Sequence, residues 1–235
     1  MNRNFCILNI GNTHVEILVR EELTVVPTGD FTPEMIPGNI PCAAASVVPA
    51  VTNMLKNTRN DIFWVTCETP GLPDLSLVQN KSLGADRIAN IAKLSIDGIL
   101  PAVTVDCGTA ITCEIVDEKR TYRGGCILPG RALLRKSLHL FTAQLPEIPL
   151  YAGLPENFPG ISTNTDMRWG TDGMAAAAVK DIINRTQAMF PEKRLRIVIC
   201  GGDAEFFLPY FPDAENGGSF FTLKGIKALY LHSLK

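Results

Sequence analysis

A strand, a glycine turn and a second strand open the chain as Phe5-Cys6-Ile7-Leu8-Asn9-Ile10-Gly11-Asn12-Thr13-His14-Val15. The same order returns in the second half as Val103-Thr104-Val105-Asp106-Cys107-Gly108-Thr109-Ala110-Ile111. In both copies an apolar run typical of a buried strand precedes an acid or amide, a glycine and a small polar residue. The repetition predicts a duplicated domain with a cleft between its halves, 1–101 and 102–235, and a boundary near Pro101.

Strands alternate with helices along the chain, which indicates an α/β fold because each crossover helix covers a face of a sheet. Strands are predicted over Phe5–Ile10, Val15–Arg20, Leu23–Thr28, Ala43–Val48, Ile62–Thr66, Ala102–Cys107, Ala110–Val116, Tyr122–Ile127 and Leu195–Cys200. Helices are predicted over Pro49–Asn60, Leu83–Asp97, a segment after Gly130, Asn164–Phe190 and Lys224–Ser233. The helix after Gly130 is expected to bury Leu134, Leu138 and Phe141 on one apolar face.

The composition excludes several classes of protein. Lys plus Arg number 22 and Asp plus Glu 24, a net charge of −2, which does not fit a nonspecific nucleic-acid binder. With 46% apolar and 20% charged residues the 235-residue chain is expected to be soluble and globular. The longest uncharged run, Met35–Leu55, contains three prolines, so no membrane segment is expected. Seven cysteines without a C-x-x-C pair predict a reducing cytoplasm rather than a disulfide framework or zinc site.

The two glycine turns are candidates for phosphate binding. A glycine leaves no Cβ in the way, so backbone N–H groups can approach an anion, and Asn12, Thr13 and Thr109 add side-chain donors. Either turn alone favours an ordinary β-hairpin, where Gly, Asn and Asp are common. The occurrence of two equivalent turns in duplicated halves favours phosphate binding instead, with the two turns contacting a polyphosphate from opposite sides of the cleft.

Two acidic positions lie next to these features. Asp106 ends an apolar strand before the second turn, where it could hold a cation that neutralises phosphate charge or could cap the turn. Asp86 begins a predicted helix beside Arg87, a pair suited to take a proton from a hydroxyl substrate and to orient an anion. An acid in a first helical turn is also stabilised by the helix dipole without any function.

Further short motifs extend the pattern over nearly the whole chain. They are Ile10-Gly11-Asn12-Thr13, Ala45-Ser46-Val47-Val48-Pro49, Gly84-Ala85-Asp86-Arg87, Asp106-x-Gly108-Thr109-Ala110-x-Thr112, Gly124-Gly125-x-Ile127-x-Pro129-Gly130, Thr142-Ala143-x-Leu145-Pro146 and Gly201-Gly202. With these motifs in this order, the sequence resembles the type III pantothenate kinases, the family that includes the Bvg accessory factor. The resemblance implies the acetate and sugar kinase/Hsp70/actin architecture, in which two ribonuclease-H-like halves hold ATP between them. It also implies a homodimer with active sites near the subunit interface, and the small-residue run Gly173–Ala178 would suit close helix packing.

The resemblance also implies an activity, the ATP-dependent phosphorylation of pantothenate to 4′-phosphopantothenate, the first step of coenzyme A biosynthesis. Asp86 matches the proton acceptor, and Asp106 matches the site of a monovalent cation, potassium or ammonium, beside the magnesium that accompanies ATP. The positions implied to contact pantothenate are Gly84, Ala85, Asp86, Arg87 and Thr163. The positions implied to bind ATP are Asn9, Ile10, Gly11, Asn12, Thr13, His14 and Thr109.

Two places depart from the pattern of that family. Asn9 stands where the family normally has an Asp that helps to organise the divalent metal and the phosphates. The loop Leu77–Ser82, before Gly84, lacks the usual Tyr and Pro. These departures leave two alternatives open: a catalytically weakened or regulatory homologue of the same fold, and a kinase for another small hydroxyl compound.

Overall fold

The computed structural model describes residues 5–79 and 83–235, and its first five strands form one mixed sheet. These strands are β1 (Cys6–Ile10), β2 (His14–Val19), β3 (Glu22–Pro27), β4 (Cys42–Ser46) and β5 (Ile62–Trp64). Their order is β3–β2–β1–β4–β5, with β1 antiparallel to β2 and parallel to β4. The Leu77–Ser82 loop ends outside the described residues, since Asn80–Ser82 are not among them.

The second sheet repeats the strand order of the first. Its strands are β6 (Ala102–Cys107), β7 (Ala110–Val116), β8 (Tyr122–Pro129), β9 (Arg196–Cys200) and β10 (Glu215–Gly218). Read from one edge their order is β8–β7–β6–β9–β10, and β6 is parallel to β9 as β1 is to β4. In each sheet the first strand of the set is therefore central, with the glycine turn at its end. The predicted α/β fold with duplicated halves is confirmed.

Seven α-helices connect or follow the strands in the part of the chain that the structure describes. They are α1 (Pro49–Thr58), α2 (Ala85–Asp97), α3 (Arg131–Phe141), α4 (Thr163–Arg168), α5 (Met174–Ala188), α6 (Ala204–Phe207) and α7 (Phe221–Ser233). Helix α2 ends where the sequence predicts, at Gly98, which takes the left-handed conformation with a φ of 73°. The single helix predicted over Asn164–Phe190 is instead α4 and α5 joined by a π-helical turn, Trp169–Gly173. None of the helices in residues 5–79 and 83–235 is long and apolar enough to cross a membrane.

The centre of the first sheet is buried on both faces because β1 and β4 are almost continuously apolar, so successive side chains enter opposite faces. Leu8 and Ile10 pack towards α1, whereas Ile7 faces α2 and α7. Helix α7 lies very close to α2 at Gly225, since a Cβ there would overlap the carbonyl oxygen of Ala89. A glycine is therefore needed at this crossing.

Contacts divide the chain into two compact units. The first comprises the described residues of Met1–Leu100 with Val116–Gly124 and Ser219–Lys235, and the second comprises Pro101–Ile115 and Gly125–Gly218. The first change of unit falls between Leu100 and Pro101. The predicted second half, 102–235, differs from the second unit because α7 packs on α2 and because Asp74 and Thr121 form a β-bridge.

Helix α3 buries the predicted face only in part: Leu134 packs against the core of the second unit and Leu138 is half-buried, but two arginines share that face. Its buried side chains are Arg131 and Arg135, 2% and 3% exposed, whereas Phe141 is 85% exposed. Both arginines have carboxylate partners within the second unit: Asp203 pairs with Arg131, and Asp172 pairs with Arg135. Charge pairing therefore buries two arginines beside the predicted apolar residues, and only the last of these, Phe141, is exposed.

Candidate active site

The first glycine turn connects β1 to β2 through Gly11, Asn12 and Thr13. The Gly11 N–H donates to the carbonyl of His14 at 3.0 Å, and the Thr28 hydroxyl donates to the carbonyl of Gly11 at 2.7 Å. Asn12, Thr13 and His14 are exposed. Because the Gly11 N–H closes its own turn, a phosphate bound here would be contacted by other donors, such as the Asn12 side chain.

Asn9 lies just before that turn and is paired across the ladder with Glu16 of β2. The Asn9 side-chain Nδ2 donates to Oε2 of Glu16 at 2.9 Å, and both residues are half-buried. Glu16 belongs to none of the motifs that predict the site. The signal that could have found it is an acid in the otherwise apolar run Val15–Val19, on a strand that leaves a candidate phosphate turn.

Asp86 lies in the first turn of α2, where its Oδ1 accepts the backbone N–H of Arg87 at 2.7 Å. Gly84 precedes it, and a Cβ on Gly84 would lie 2.7 Å from the Asp86 Oδ1 and 3.3 Å from Cγ1 of Val47. Val47 in turn donates its N–H to the carbonyl of Ile10 at 3.0 Å. The start of α2 therefore lies at the carboxyl ends of β1 and β4, and the first unit brings Gly84–Arg87 close to the first turn.

The surroundings of Asp86 suit a general base. Burial raises the pKa of its carboxyl group, and the backbone N–H and the guanidinium of Arg87 only partly oppose that rise. A carboxylate with a raised pKa is a stronger proton acceptor. The Arg87 guanidinium is held by Tyr122, whose hydroxyl oxygen accepts from Nη2 at 3.0 Å and whose side chain is 1% exposed. Nothing in the sequence marked Tyr122, because it follows Arg87 by 35 positions.

The second glycine turn, Gly108-Thr109, connects β6 to β7 and is one residue shorter than the first. The Gly108 N–H donates to the carbonyl of Ala110 at 3.1 Å, so this glycine also closes its own turn. Gly130 packs on the turn from the start of α3, donating its N–H to the carbonyl of Thr109 at 2.9 Å. A Cβ on Gly130 would overlap the carbonyl oxygens of Gly108 and Thr109. The Pro129-Gly130 motif is thus explained by close backbone packing.

Asp106 contacts the Gly201-Gly202 turn within the second unit. Gly201 has a φ of 89°, and a Cβ there would lie 2.5 Å from Oδ1 of Asp106 and 2.6 Å from the carbonyl oxygen of Cys107. A carboxylate and a carbonyl oxygen thus converge beside a residue that has no side chain. Hard oxygen donors of this kind replace the water shell of an alkali cation.

The turn after β9 is held in place by a partly buried ion pair that no sequence motif predicts. Asp203 donates its N–H to the carbonyl of Cys107 at 2.9 Å, and its Oδ2 accepts from Nε of Arg131 at 2.7 Å. The guanidinium of Arg131 stacks on the ring of Phe206 at 3.5 Å from the ring centre. Arginine on a predicted surface helix gives no sequence signal of such a role.

Thr163 is the exposed first residue of α4, in the second unit. Ser162 caps the helix by accepting the N–H of Thr165 at 3.3 Å. Gly160 allows the loop to lie against the helix start, since a Cβ there would overlap the Asp166 carboxylate. Thr163 is therefore exposed, and it belongs to the second unit. The other positions implied to contact pantothenate, Gly84–Arg87, belong to the first unit.

Two α/β sheets with the same strand order, each with a glycine turn after its central strand, define the duplicated ribonuclease-H-like architecture of acetate and sugar kinases, Hsp70 and actin. A conserved Baf family protein from Campylobacter jejuni has this fold, with a TM-score of 0.71 at 22% identity over 97% of this chain and 98% of that one. A ParM filament structure from Clostridium botulinum matches with a TM-score of 0.52 at 9% identity, over 98% of this chain and 100% of that one.

Sequence comparison specifies the family within that architecture. The family model described as type III pantothenate kinase matches residues 31–185. A type III pantothenate kinase from Exiguobacterium sp. is 34% identical over 200 residues, which are 81% of this chain and 76% of that relative. The chain belongs to the type III pantothenate kinase family, and it is a kinase.

Proposed function

We propose that the protein transfers the γ-phosphoryl group of ATP to the primary hydroxyl of pantothenate. The products would be ADP and 4′-phosphopantothenate, and the reaction would be the first step of coenzyme A biosynthesis. The observation that carries the proposal is the start of α2, where burial raises the pKa of Asp86 and Tyr122 holds Arg87 beside it. Family membership supports pantothenate as the substrate. The pair of Asp86 and Arg87 suits a compound that carries both a hydroxyl and an anionic group.

In this mechanism Asp86 accepts the hydroxyl proton while the hydroxyl oxygen attacks the γ-phosphorus and ADP leaves. Arg87 orients the carboxylate of pantothenate, and Gly84, Ala85 and Thr163 supply further contacts. Phosphoryl transfer requires little covalent chemistry from the protein, so most of the rate comes from positioning and charge neutralisation. The fixed guanidinium of Arg87 supports this because the side chain is oriented before substrate arrives.

We propose that ATP is contacted by the turn Asn9–His14 and by Thr109. The magnesium ion that accompanies ATP neutralises phosphate charge in kinases. The donors at the first turn fit that ion, since the side chains of Asn9 and Glu16 offer carboxylate and amide oxygens, and magnesium prefers oxygen.

We propose that Asp106 holds potassium or ammonium. Replacing sodium by either ion is expected to raise the rate, because the Asp106 carboxylate and the Cys107 carbonyl supply hard oxygen donors beside Gly201. Asp106→Ala is expected to abolish that response. Steady-state rates in sodium, potassium and ammonium buffers of equal ionic strength measure it. Equal rates in all three for the unaltered protein would leave Asp106 as a turn cap.

We also propose a cytoplasmic homodimer. Three large apolar side chains in the second unit, Phe141, Phe158 and Ile161, are 85%, 78% and 83% exposed, as expected of residues that a second subunit covers. Light scattering is expected to give a mass near twice 25.6 kDa. A fully active protein with the mass of one chain at assay concentration would contradict this.

A coupled assay of ADP release, with the product identified by mass spectrometry, tests the function. ATP and pantothenate are expected to give ADP and a pantothenate phosphomonoester in equal amounts. A panel of other small alcohols and sugars runs in parallel. Turnover on another alcohol without turnover on pantothenate would favour the alternative substrate, and ATP binding without turnover on any compound would favour a regulatory homologue.

A further inference from the structure

A cavity of about 540 Å³ lies within the first unit, and its walls include neither the glycine turns nor Gly84–Arg87. The walls come from four separate parts of that unit: the loop after β5, the end of α2, the hairpin between β7 and β8, and the end of α7. Pockets that hold small molecules have volumes of about 300–1,000 Å³. The cavity is therefore large enough for a small ligand.

The charges on the wall of this cavity favour an anion. Lys119, Arg120 and His232 line it, and in residues 5–79 and 83–235 neither Lys119 nor Arg120 forms an ion pair. The acid on the wall, Asp74, accepts the N–H and the hydroxyl of Ser76 at 2.9 and 3.0 Å. One carboxylate thus faces two permanently charged cations and an imidazole, which gives the wall an excess of positive charge.

Arg120 has a backbone conformation that disfavours its residue type. Its φ is 61°, in the left-handed region. The Arg120 N–H donates to the carbonyl of Asp117 at 3.0 Å, and the Asp117 N–H donates to the carbonyl of Thr121 at 3.0 Å, which closes a tight turn between β7 and β8. Glycine is the usual residue at a left-handed position of such a hairpin. The turn itself does not explain an arginine here, so the reason lies in its side chain.

The Arg120 side chain is oriented before any ligand binds. Its Nε donates to the Oγ of Ser95 at 2.8 Å, and Ser95 is 3% exposed on α2. Within the described part of the chain this is the one hydrogen bond of that side chain, so Nη1 and Nη2 remain available to a ligand. The planar guanidinium fork matches two oxygens of a phosphate group.

The remaining wall combines an imidazole with apolar side chains. Gly71 has a φ of 90°, and a Cβ there would lie 2.7 Å from Cδ2 of His232, so the imidazole ring lies directly against the Gly71 backbone. Leu72 and Ile96 line the same cavity, and Ile96 is 47% exposed. An organic group attached to a bound phosphate could cover this apolar surface.

We propose that this cavity binds a small organic phosphomonoester. Lys119, Arg120 and His232 hold the phosphate group, and the organic part lies against Leu72 and Ile96. The site is separate from the proposed catalytic site, and the inference does not rest on the proposed reaction.

Titration with n-butyl phosphate in phosphate-free buffer tests the proposal. The Ile96 methyl groups and the His232 ring, followed by nuclear magnetic resonance, are expected to shift together with one dissociation constant. Inorganic phosphate is expected to bind more weakly because it has no organic part, and n-butanol is expected not to bind. Affinity for n-butyl phosphate is expected to fall as salt is added, because Lys119 and Arg120 are exposed.

Arg120→Gly removes the guanidinium and introduces the residue that the left-handed backbone favours. Affinity for n-butyl phosphate is expected to fall by about 10-fold or more, the scale of a hydrogen bond to a charged group. Arg20→Gly is the matched control, because Arg20 is an exposed arginine with a φ of 53° in the turn between β2 and β3, outside the cavity. That variant is expected to keep full affinity. Lys119→Gln leaves the left-handed position unchanged and is expected to weaken binding as well.

Thermal melting shows whether each variant is folded. Unchanged affinity in folded Arg120→Gly and Lys119→Gln would overturn the inference, as would an equal loss in Arg20→Gly or a titration that leaves Ile96 and His232 unshifted. Inorganic phosphate that binds as tightly as n-butyl phosphate would overturn the organic part of the ligand. Because no arm of this experiment measures turnover, its failure would leave the proposed reaction standing, and a protein inactive on pantothenate could still bind at this cavity.

Discussion

Asp86→Asn is expected to lower kcat by about 10²–10⁴-fold, the usual cost of losing a general base. The amide keeps the size of the side chain and can still accept the Arg87 N–H, so the start of α2 should be preserved. What is lost is the ability to take the hydroxyl proton. Steady-state kinetics with pantothenate measures the change, with Asp213→Asn as the matched control at an 82% exposed carboxylate.

The pH profile gives this prediction a second readout. The base must be ionised to act, so kcat/KM falls as the pH drops through the pKa of Asp86. Burial raises that pKa, so the acidic limb is expected above the ordinary aspartate range. The ionised form that supports turnover is the less favourable form for folding. A pKa that is higher in the folded state than in the unfolded state means that the ionised carboxylate lowers the free energy of unfolding at neutral pH. Asp86→Asn is therefore expected to melt no lower than the unaltered protein, and near-normal turnover would remove Asp86 from the mechanism.

The central strands and both glycine turns could be predicted because they depend on local signals. Apolar runs such as Val103–Val105 indicate buried strands, and a glycine before small polar residues indicates a turn. The structure gives β6 and β7 the predicted limits, Ala102–Cys107 and Ala110–Val116. The duplication could also be predicted, because the pattern of strand, glycine turn and strand occurs once in each half of the chain.

Strand β10 could not be predicted, because its sequence Glu215-Asn216-Gly217-Gly218 has neither alternation nor β-branched residues. It forms because β9 offers a free parallel edge, a tertiary cause that no local window contains. The position of α7 in the first unit could not be predicted either, because it too depends on a tertiary contact. Its contact with α2 depends on Gly225 against Ala89, which are far apart in sequence.

Contacts around the candidate site could be predicted where the partners are neighbours in sequence, and could not where the partners are distant. Asp86 and Arg87 are adjacent, so their pairing could be read directly from the sequence. Glu16 and Tyr122 are hydrogen-bond partners of Asn9 and Arg87, and only strand pairing and packing reveal these contacts. The inward face of α3 was predicted incompletely for a related reason: Arg135 is buried by a carboxylate from another element.

Asp172→Asn is expected to destabilise the second unit by about 3–5 kcal/mol, the usual cost of removing one partner of a buried ion pair. Asp172 is fully buried, and its carboxylate accepts from Nε of Arg135 at 3.1 Å and lies 3.4 Å from Nη1 of Arg131. An amide leaves both guanidinium groups buried with less opposite charge. Among the described residues, Nη1 of Arg135 already has no hydrogen-bond partner, so Arg135 has little to replace the loss.

The melting temperature is expected to fall by roughly 10 °C, since about 2–4 °C corresponds to each kcal/mol in a protein of this size. Urea unfolding followed by circular dichroism measures the free energy itself. Asp181→Asn is the matched control, because its ion pair with Arg185 has side chains 60% and 78% exposed and is screened by water. That variant is expected to unfold like the unaltered protein. If Asp172→Asn did the same, the pairing would contribute nothing net to stability, and the inward face of α3 would owe its arrangement to packing alone.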